Sequence, residues 1–222
     1  MSGDLSTSSS FEPVLGPQFL DGVLDFGRVF GWKEGERRPV EIEIGCGKGR
    51  FLVQAAARWA DHDFLAIEQV NALIRKVASK ARRNGRANIR LLRTNAREIF
   101  AHQLAPGSLR RVHVYFPDPW PKRRHAKHRL LADPMPDAIA AALEPGGELL
   151  LATDHDAYFR EVVARLARHP EFVRVLPDVF AEIPRGGFDA LFEAGCVPIF
   201  RGCWQRRMDV ASVAASEPDH VP

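Results

Sequence analysis

The chain has 222 residues, of which 45% are hydrophobic and 27% charged, with a formal net charge of +3. These are the fractions of one ordinary globular domain with a sizeable core, not of a disordered or fibrous chain. Three cysteines, Cys46, Cys196 and Cys203, form neither a disulfide framework nor a metal-ligand spacing, and no window approaches the roughly 20 apolar residues of a membrane span. The expectation is a cytoplasmic protein with reduced thiols, no metal and no membrane attachment.

In chain order, residues 1–15 are small and polar and read as a disordered tail. Residues 17–33 carry Phe19, Leu20, Val23, Leu24, Phe26 and Phe30 in a mixed pattern that suits a short helix on the domain. The first strand is predicted at 40–44, ending in the glycine loop Gly45-Cys46-Gly47-Lys48-Gly49, with a helix after it. A second strand, 64–67, ends on Glu68 and leads into a basic helix over 70–83 that Asn84-Gly85 stops. A third strand, 89–92, precedes Thr94-Asn95-Ala96 and a short helix. The fourth, 112–116, runs into Pro117-Asp118-Pro119-Trp120. A helix over 135–143 and the turn residues Glu144-Pro145-Gly146-Gly147 lead to a fifth strand, 148–152, and to Thr153-Asp154. A helix over 157–169 and two strand-like runs, 172–175 and 199–206, close a single domain spanning 16–208. The remaining 209–222 read as a second loose tail.

Strands alternating with helices predict an α/β fold, a mostly parallel sheet covered on both faces. Ligand sites in such sheets lie at the carboxyl ends of the strands. Glu43 with the glycines, Glu68, Asn95, Asp118 and Asp154 are all placed there by the predicted elements. Glycines let backbone approach a ligand closely. An acid ending the second strand suits the two ribose hydroxyls of an adenosine, and an amide ending the third suits an adenine edge. Glu43 sits in an apolar strand, where a carboxylate is costly unless paired; it either bridges to an arginine or faces a cationic cofactor group. Asp118, between two prolines, has little backbone freedom. Asp154 either caps the following helix, a task Asp156 could equally perform, or faces the site. Cys46 reads as a small filler rather than a nucleophile.

The net charge hides two basic blocks. Residues 75–93 contain eight Lys/Arg and no acid, and residues 122–129 contain five more, again without an acid. Beside the site, the second block suits phosphate contacts, and the first is either a solvated helix or a second phosphate track.

Glu43-Ile44-Gly45-Cys46-Gly47-Lys48-Gly49, Ile67-Glu68, Asn95-Ala96, Phe116-Pro117-Asp118-Pro119-Trp120-Pro121-Lys122 and Ala152-Thr153-Asp154 resemble the bacterial tRNA (guanine-N7)-methyltransferases. The resemblance spans roughly residues 40–200 and is most specific in the Phe-Pro-Asp-Pro-Trp-x-Lys block. It implies a Rossmann-like class I methyltransferase with a seven-stranded sheet whose last strand is antiparallel. It implies S-adenosyl-L-methionine as methyl donor, S-adenosyl-L-homocysteine as product, and the variable-loop guanine of tRNA as acceptor, with no obligate protein partner. The cofactor residues it implies are Glu43, Gly45, Gly47, Gly49, Glu68, Asn95, Ala96 and Asp118, with Asp118 also catalytic. The substrate residues it implies are Lys122, Asp154, Ala190, Leu191, Phe192 and Glu193. Three positions depart from the family pattern. Asn95 stands where an aspartate is usual, and Ala190-Leu191 replace a hydroxyl and a lysine before Phe192-Glu193. Another RNA or protein acceptor, or a catalytically impaired tRNA-binding relative, are the alternatives.

Overall fold

The computed structural model of the chain describes residues 11–175 and 198–208. Residues 1–10 of the expected tail 1–15 and the whole expected tail 209–222, together with Ala190, Leu191, Phe192, Glu193 and Cys196, lie outside the described residues.

One seven-stranded sheet organises the molecule, in the order β3-β2-β1-β4-β5-β7-β6. Its strands are β1 (Val40–Ile44), β2 (Asp63–Glu68), β3 (Ile89–Arg93), β4 (Leu109–Tyr115), β5 (Leu143–Thr153), β6 (Phe172–Val175) and β7 (Phe200–Arg206). The first five run parallel to one another, and β7 runs antiparallel to both β5 and β6. The antiparallel last strand expected from the family resemblance is present. Helices α1 (Phe26–Phe30), α4 (Ala96–His102), α5 (Met135–Ala142) and α6 (Asp156–Leu166) cover one face of the sheet. Helices α2 (Arg50–Arg58) and α3 (Asn71–Arg83) cover the other.

Side chains alternate across a strand, so each strand feeds two cores. Ile42, Ile44, Leu65, Ile67, Val112, Val114, Leu149 and Leu151 pack under α4, α5 and α6. Phe64, Ala66, Leu91 and Leu150 pack with Phe51, Leu52, Ala55, Ile74 and Val77 under α2 and α3. β1 also turns two carboxylates, Glu41 and Glu43, into the interior.

Glu41 is satisfied by a polar cluster. It accepts from His113 Nε2 at 2.6 Å, His62 Nδ1 at 2.5 Å and Arg111 Nη1 at 3.3 Å. Arg111 Nε in turn donates to Glu148 at 2.7 Å, and His113 Nδ1 meets the Tyr115 hydroxyl at 2.8 Å. Burial opposes ionisation of Glu41, but the hydrogen bonds from His113 and His62 and the charges of His113 and Arg111 outweigh it. They hold the carboxyl well below the usual range.

Several elements differ from their sequence reading: β4 spans Leu109–Tyr115 rather than 112–116, and α6 ends at Leu166 rather than 169. β5 starts at Leu143 rather than 148: Leu109 pairs with Leu143, the register shifts before Arg111, and Pro145-Gly146-Gly147 is accommodated in that irregularity rather than in a turn. The segment 11–15, read as tail, lies along the β3 edge. Val14 bridges Leu91 in parallel, Leu15 N donates to Leu91 O and Leu91 N to Pro13 O.

Candidate active site

The order of β3-β2-β1-β4-β5 places the topological switch between β1 and β4, because the chain runs outward from β1 to β3 and then returns to β1's other side. The loops leaving those two strands are the glycine loop, 45–49, and the Pro-Asp-Pro turn, 116–122. Glu68, Asn95 and Asp154 end or follow β2, β3 and β5 on the same side of the sheet.

The glycine loop is fastened to β2. Gly45 N donates to Ile67 O at 2.8 Å, and Gly47 N to Glu68 Oε2 at 3.2 Å. Glu68 Oε1 accepts from Gln69 N at 2.8 Å and Val70 N at 2.9 Å. A carboxylate offers about four acceptor positions, so capacity remains for a ligand hydroxyl. The glycines divide the work. Gly47, at φ +51, has no heavy atom within 4 Å of where a Cβ would stand, whereas a Cβ on Gly49 would meet Val77 Cγ1 and Cγ2 at 2.8 Å. Gly47 leaves room for a ligand; Gly49 lets α3 close onto the start of α2.

Glu43 is 5% exposed, and its Oε2 has no hydrogen-bond partner. Burial, and then the neighbouring Glu68 charge, push its carboxyl up to about 8. Two residues away on the same strand, Glu41 is held ionised by His113, His62 and Arg111. Of the two readings for Glu43, an arginine bridge is absent among the described residues. Burial, Glu43 and Glu68 also hold the Cys46 thiol above its ordinary range, which leaves no reactive thiolate in the loop.

Asn95 caps α4: its side chain accepts from Arg97 N at 3.0 Å. An aspartate would cap equally well, so the departure at this position preserves the local structure. Asp154 is exposed and caps nothing, because His155 Nδ1 accepts from Tyr158 N at 3.1 Å, and Asp156 pairs with Arg160 instead. Neither aspartate considered from the sequence is the cap.

The Pro-Asp-Pro turn is bracketed by two non-glycine residues in the left-handed region, Phe116 at φ +50 and Trp120 at φ +41. Such residues cost of order 1–3 kcal/mol each and persist where their surroundings hold them. Phe116 N is anchored to Ala152 O at 2.8 Å, tying the turn to β5 and so to the strand that ends at Asp154. Asp118 Oδ1 accepts from Trp120 N at 3.0 Å. Trp120 then packs against His125 and His128, with centroids at 5.7 and 5.2 Å, over the 3-10 helix Arg123–His128.

Arg129 holds this turn and escaped the sequence reading, which counted it with the phosphate contacts. It is 8% exposed. Its Nε donates to Pro119 O at 2.8 Å, its Nη2 to Trp120 O at 3.1 Å, and its Nη1 to Glu161 on α6. Its own carbonyl accepts from Arg97 Nη2 at 2.5 Å, so α4 and α6 both brace it. The signal that marks it is the apolar pair Leu130-Leu131 that follows, where the chain re-enters the core. Lys122 remains exposed at the start of the 3-10 helix. The first basic block also divides: Arg82 pairs with Glu12, and Arg90 turns inward to Val29 O between the Phe11 and Phe30 rings.

A family model described as "Putative methyltransferase" matches residues 37–182. A tRNA (guanine-N(7)-)-methyltransferase of Leifsonia xyli subsp. xyli is 38% identical over 178 residues, covering 80% of this chain and 76% of its own length. The chain belongs to the tRNA (guanine-N7)-methyltransferase family. A second member, from Bordetella parapertussis, is 35% identical over 188 residues, 85% of this chain and 70% of that one. Solved structures share the fold at lower identity. The 16S rRNA methyltransferase KamB superposes with a TM-score of 0.56 at 15% identity, covering 81% of this chain and 93% of that one. A Streptococcus mutans protein solved in complex with SAH gives 0.51 at 14%, covering 77% and 90%.

Proposed function

We propose that this chain transfers the methyl group of S-adenosyl-L-methionine to N7 of the variable-loop guanine of tRNA, acting in the cytoplasm. The observation that carries the reading is the strained Phe116–Trp120 turn, with Asp118 at its centre, fixed across the β1/β4 switch from the glycine loop.

The residues fit such a cofactor. An orphaned buried carboxylate, Glu43, suits a cationic group; open space over Gly47 suits close backbone approach; Glu68 retains acceptor capacity for ribose hydroxyls. Glu43, Gly45, Gly47, Gly49, Glu68, Asn95, Ala96 and Asp118 would hold it, Gly49 by packing α3 against the loop. When bound, the cofactor supplies a methyl group on a positively charged sulfur. Guanine N7 has a free lone pair and no proton, so no side chain must first act as a base. The protein's task is alignment, worth up to about 7–11 kcal/mol in well-oriented systems. As charge moves onto the guanine, the Asp118 carboxylate stabilises it, or holds the N1/N2 edge of the base. Lys122 and Asp154 face the RNA from the two neighbouring strand ends. Ala190, Leu191, Phe192 and Glu193 complete the substrate side.

The test is incubation of purified protein with unmodified tRNA transcripts and labelled S-adenosylmethionine, followed by aniline treatment. Label with strand scission at a variable-loop guanine is the expected result. Label without scission means another acceptor atom, and no label with tRNA still bound means the impaired binding protein that Ala190-Leu191 would produce.

A further inference from the structure

On the outer side of the glycine loop lies a concave basin of about 320 Å³ lined by Lys48, Lys76, Ser79, Lys80 and Arg83. Lys76, Lys80 and Arg83 recur at helical spacing and therefore share one face of α3. Lys80 Nζ donates to Lys48 O at 2.7 Å, which ties that face to the loop. The same two helices are locked together where Gly49 meets Val77. Burial, and then the charges of Arg50 and Arg83, push the Lys80 ammonium below its ordinary range, so the cations here work against one another. Among the described residues none of Lys48, Arg50, Lys76, Lys80 or Arg83 has an acidic partner, whereas Arg82 on the same helix is neutralised by Glu12 and Arg90 is drawn into the domain. A solvated face distributes its cations; this one converges them in a concavity, where a field is focused on an anion.

We propose that this basin is a second docking site for the phosphate backbone of the tRNA, separate from the basic segment that follows the Pro-Asp-Pro turn. The proposal rests on the tRNA methyltransferase reading and extends it. Lys76 and Arg83 lie seven residues apart, roughly 10 Å along the helix, the length of about three phosphates of one strand at helical rise. Lys48 connects the basin to the loop at the reaction centre, so a strand gripped here is held by the same rigid unit that positions the cofactor. The site accepts charge and shape, not base identity.

The experiment compares wild type with the Lys76→Gln/Arg83→Gln double variant, both side chains being exposed and remote from the core. Binding of a tRNA transcript is measured across a salt series, and S-adenosylhomocysteine binding is measured in parallel to report the fold and the cofactor site. The expected result is weaker tRNA binding, by roughly tenfold or more. The slope of log K against log salt should fall by about 1.4–1.8, the loss of two phosphate contacts. S-adenosylhomocysteine affinity should be unchanged. An unaltered affinity and slope, in a protein whose wild type methylates tRNA, would overturn the basin while leaving the function intact. A wild type that neither binds nor methylates tRNA would overturn both. Charge reversal, Lys76→Glu/Arg83→Glu, must weaken binding further than the neutral pair.

Discussion

Glu43 and Arg129 each make a residue-scale prediction. Burial and the Glu68 charge raise the Glu43 carboxyl from 4.5 to about 8, so the native protein keeps a proton over a window in which the unfolded chain has lost it. Its contribution to stability is therefore fully present below that window and is lost as pH rises through it. Glu43→Gln should remove the decline, and its melting-temperature advantage over wild type should grow from mildly acidic pH towards pH 8. The same variant should lose S-adenosylmethionine affinity by roughly 10- to 100-fold, the worth of a hydrogen bond to a charged group. A cation bound beside Glu43 lowers its pKa again, so wild-type binding near neutral pH should release a proton, visible by calorimetry in buffers of different ionisation heat. A flat buffer dependence would remove Glu43 from the cofactor site. Arg129 acts through the turn it clamps. Arg129→Lys cannot span Pro119 O, Trp120 O and Glu161 with a planar fork. A misplacement of about 1 Å at Asp118 costs about 10²-fold in rate. We expect kcat to fall by that order with a much smaller loss of cofactor affinity, to which Asp118 is one contributor among several; equal loss of both would make Arg129 a general structural residue.

Among the elements, α4 tests the Asn95 departure. Asn95→Ala should cost about 1 kcal/mol through loss of the cap, whereas Asn95→Asp should leave the melting temperature unchanged. Cofactor affinity that stays within a few-fold across Asn95→Asp would show that the two residues are interchangeable here. The elements themselves were legible because their patterns are local: β1, β2, β3 and β6 fall within a residue of their apolar runs, and Asn84-Gly85 ends α3 as turn residues do. β5 was misjudged because Pro-Gly-Gly carries a turn signal that cross-strand pairing with β4 overrides. The constrained turn at Asp118 was legible from its two prolines. Arg129 was not read from the charge run itself, whose members look alike; only the apolar pair Leu130-Leu131 after it marks the point where the chain turns inward. The His155 cap was hidden for a related reason, with aspartates on both sides offering better cap propensity than the residue that took the role.

For the whole molecule, the Glu41 cluster joins β1, β4 and β5 through Arg111, His113 and Glu148. With its folded carboxyl held low, Glu41 stabilises the protein above the ordinary carboxylate range, and that contribution is lost as pH falls through it. Denaturant unfolding should therefore show a steep acid decline. Glu41→Gln, which leaves His113 and Arg111 facing a neutral amide, should cost about 3–5 kcal/mol at neutral pH and flatten that decline. Equal midpoints for variant and wild type would mean that the cluster is energetically idle.

A sheet with two open margins invites copies of itself to add on. β3 is one such margin, and residues 13–15 already occupy its middle, with Leu91 both giving and receiving a main-chain hydrogen bond. Residues 13–15 thus fill the middle of this edge and deny its Leu91 main-chain groups to a passing strand. A chain lacking residues 11–15 would leave the Leu91 amide and carbonyl unpaired and open the middle of the β3 edge to another strand.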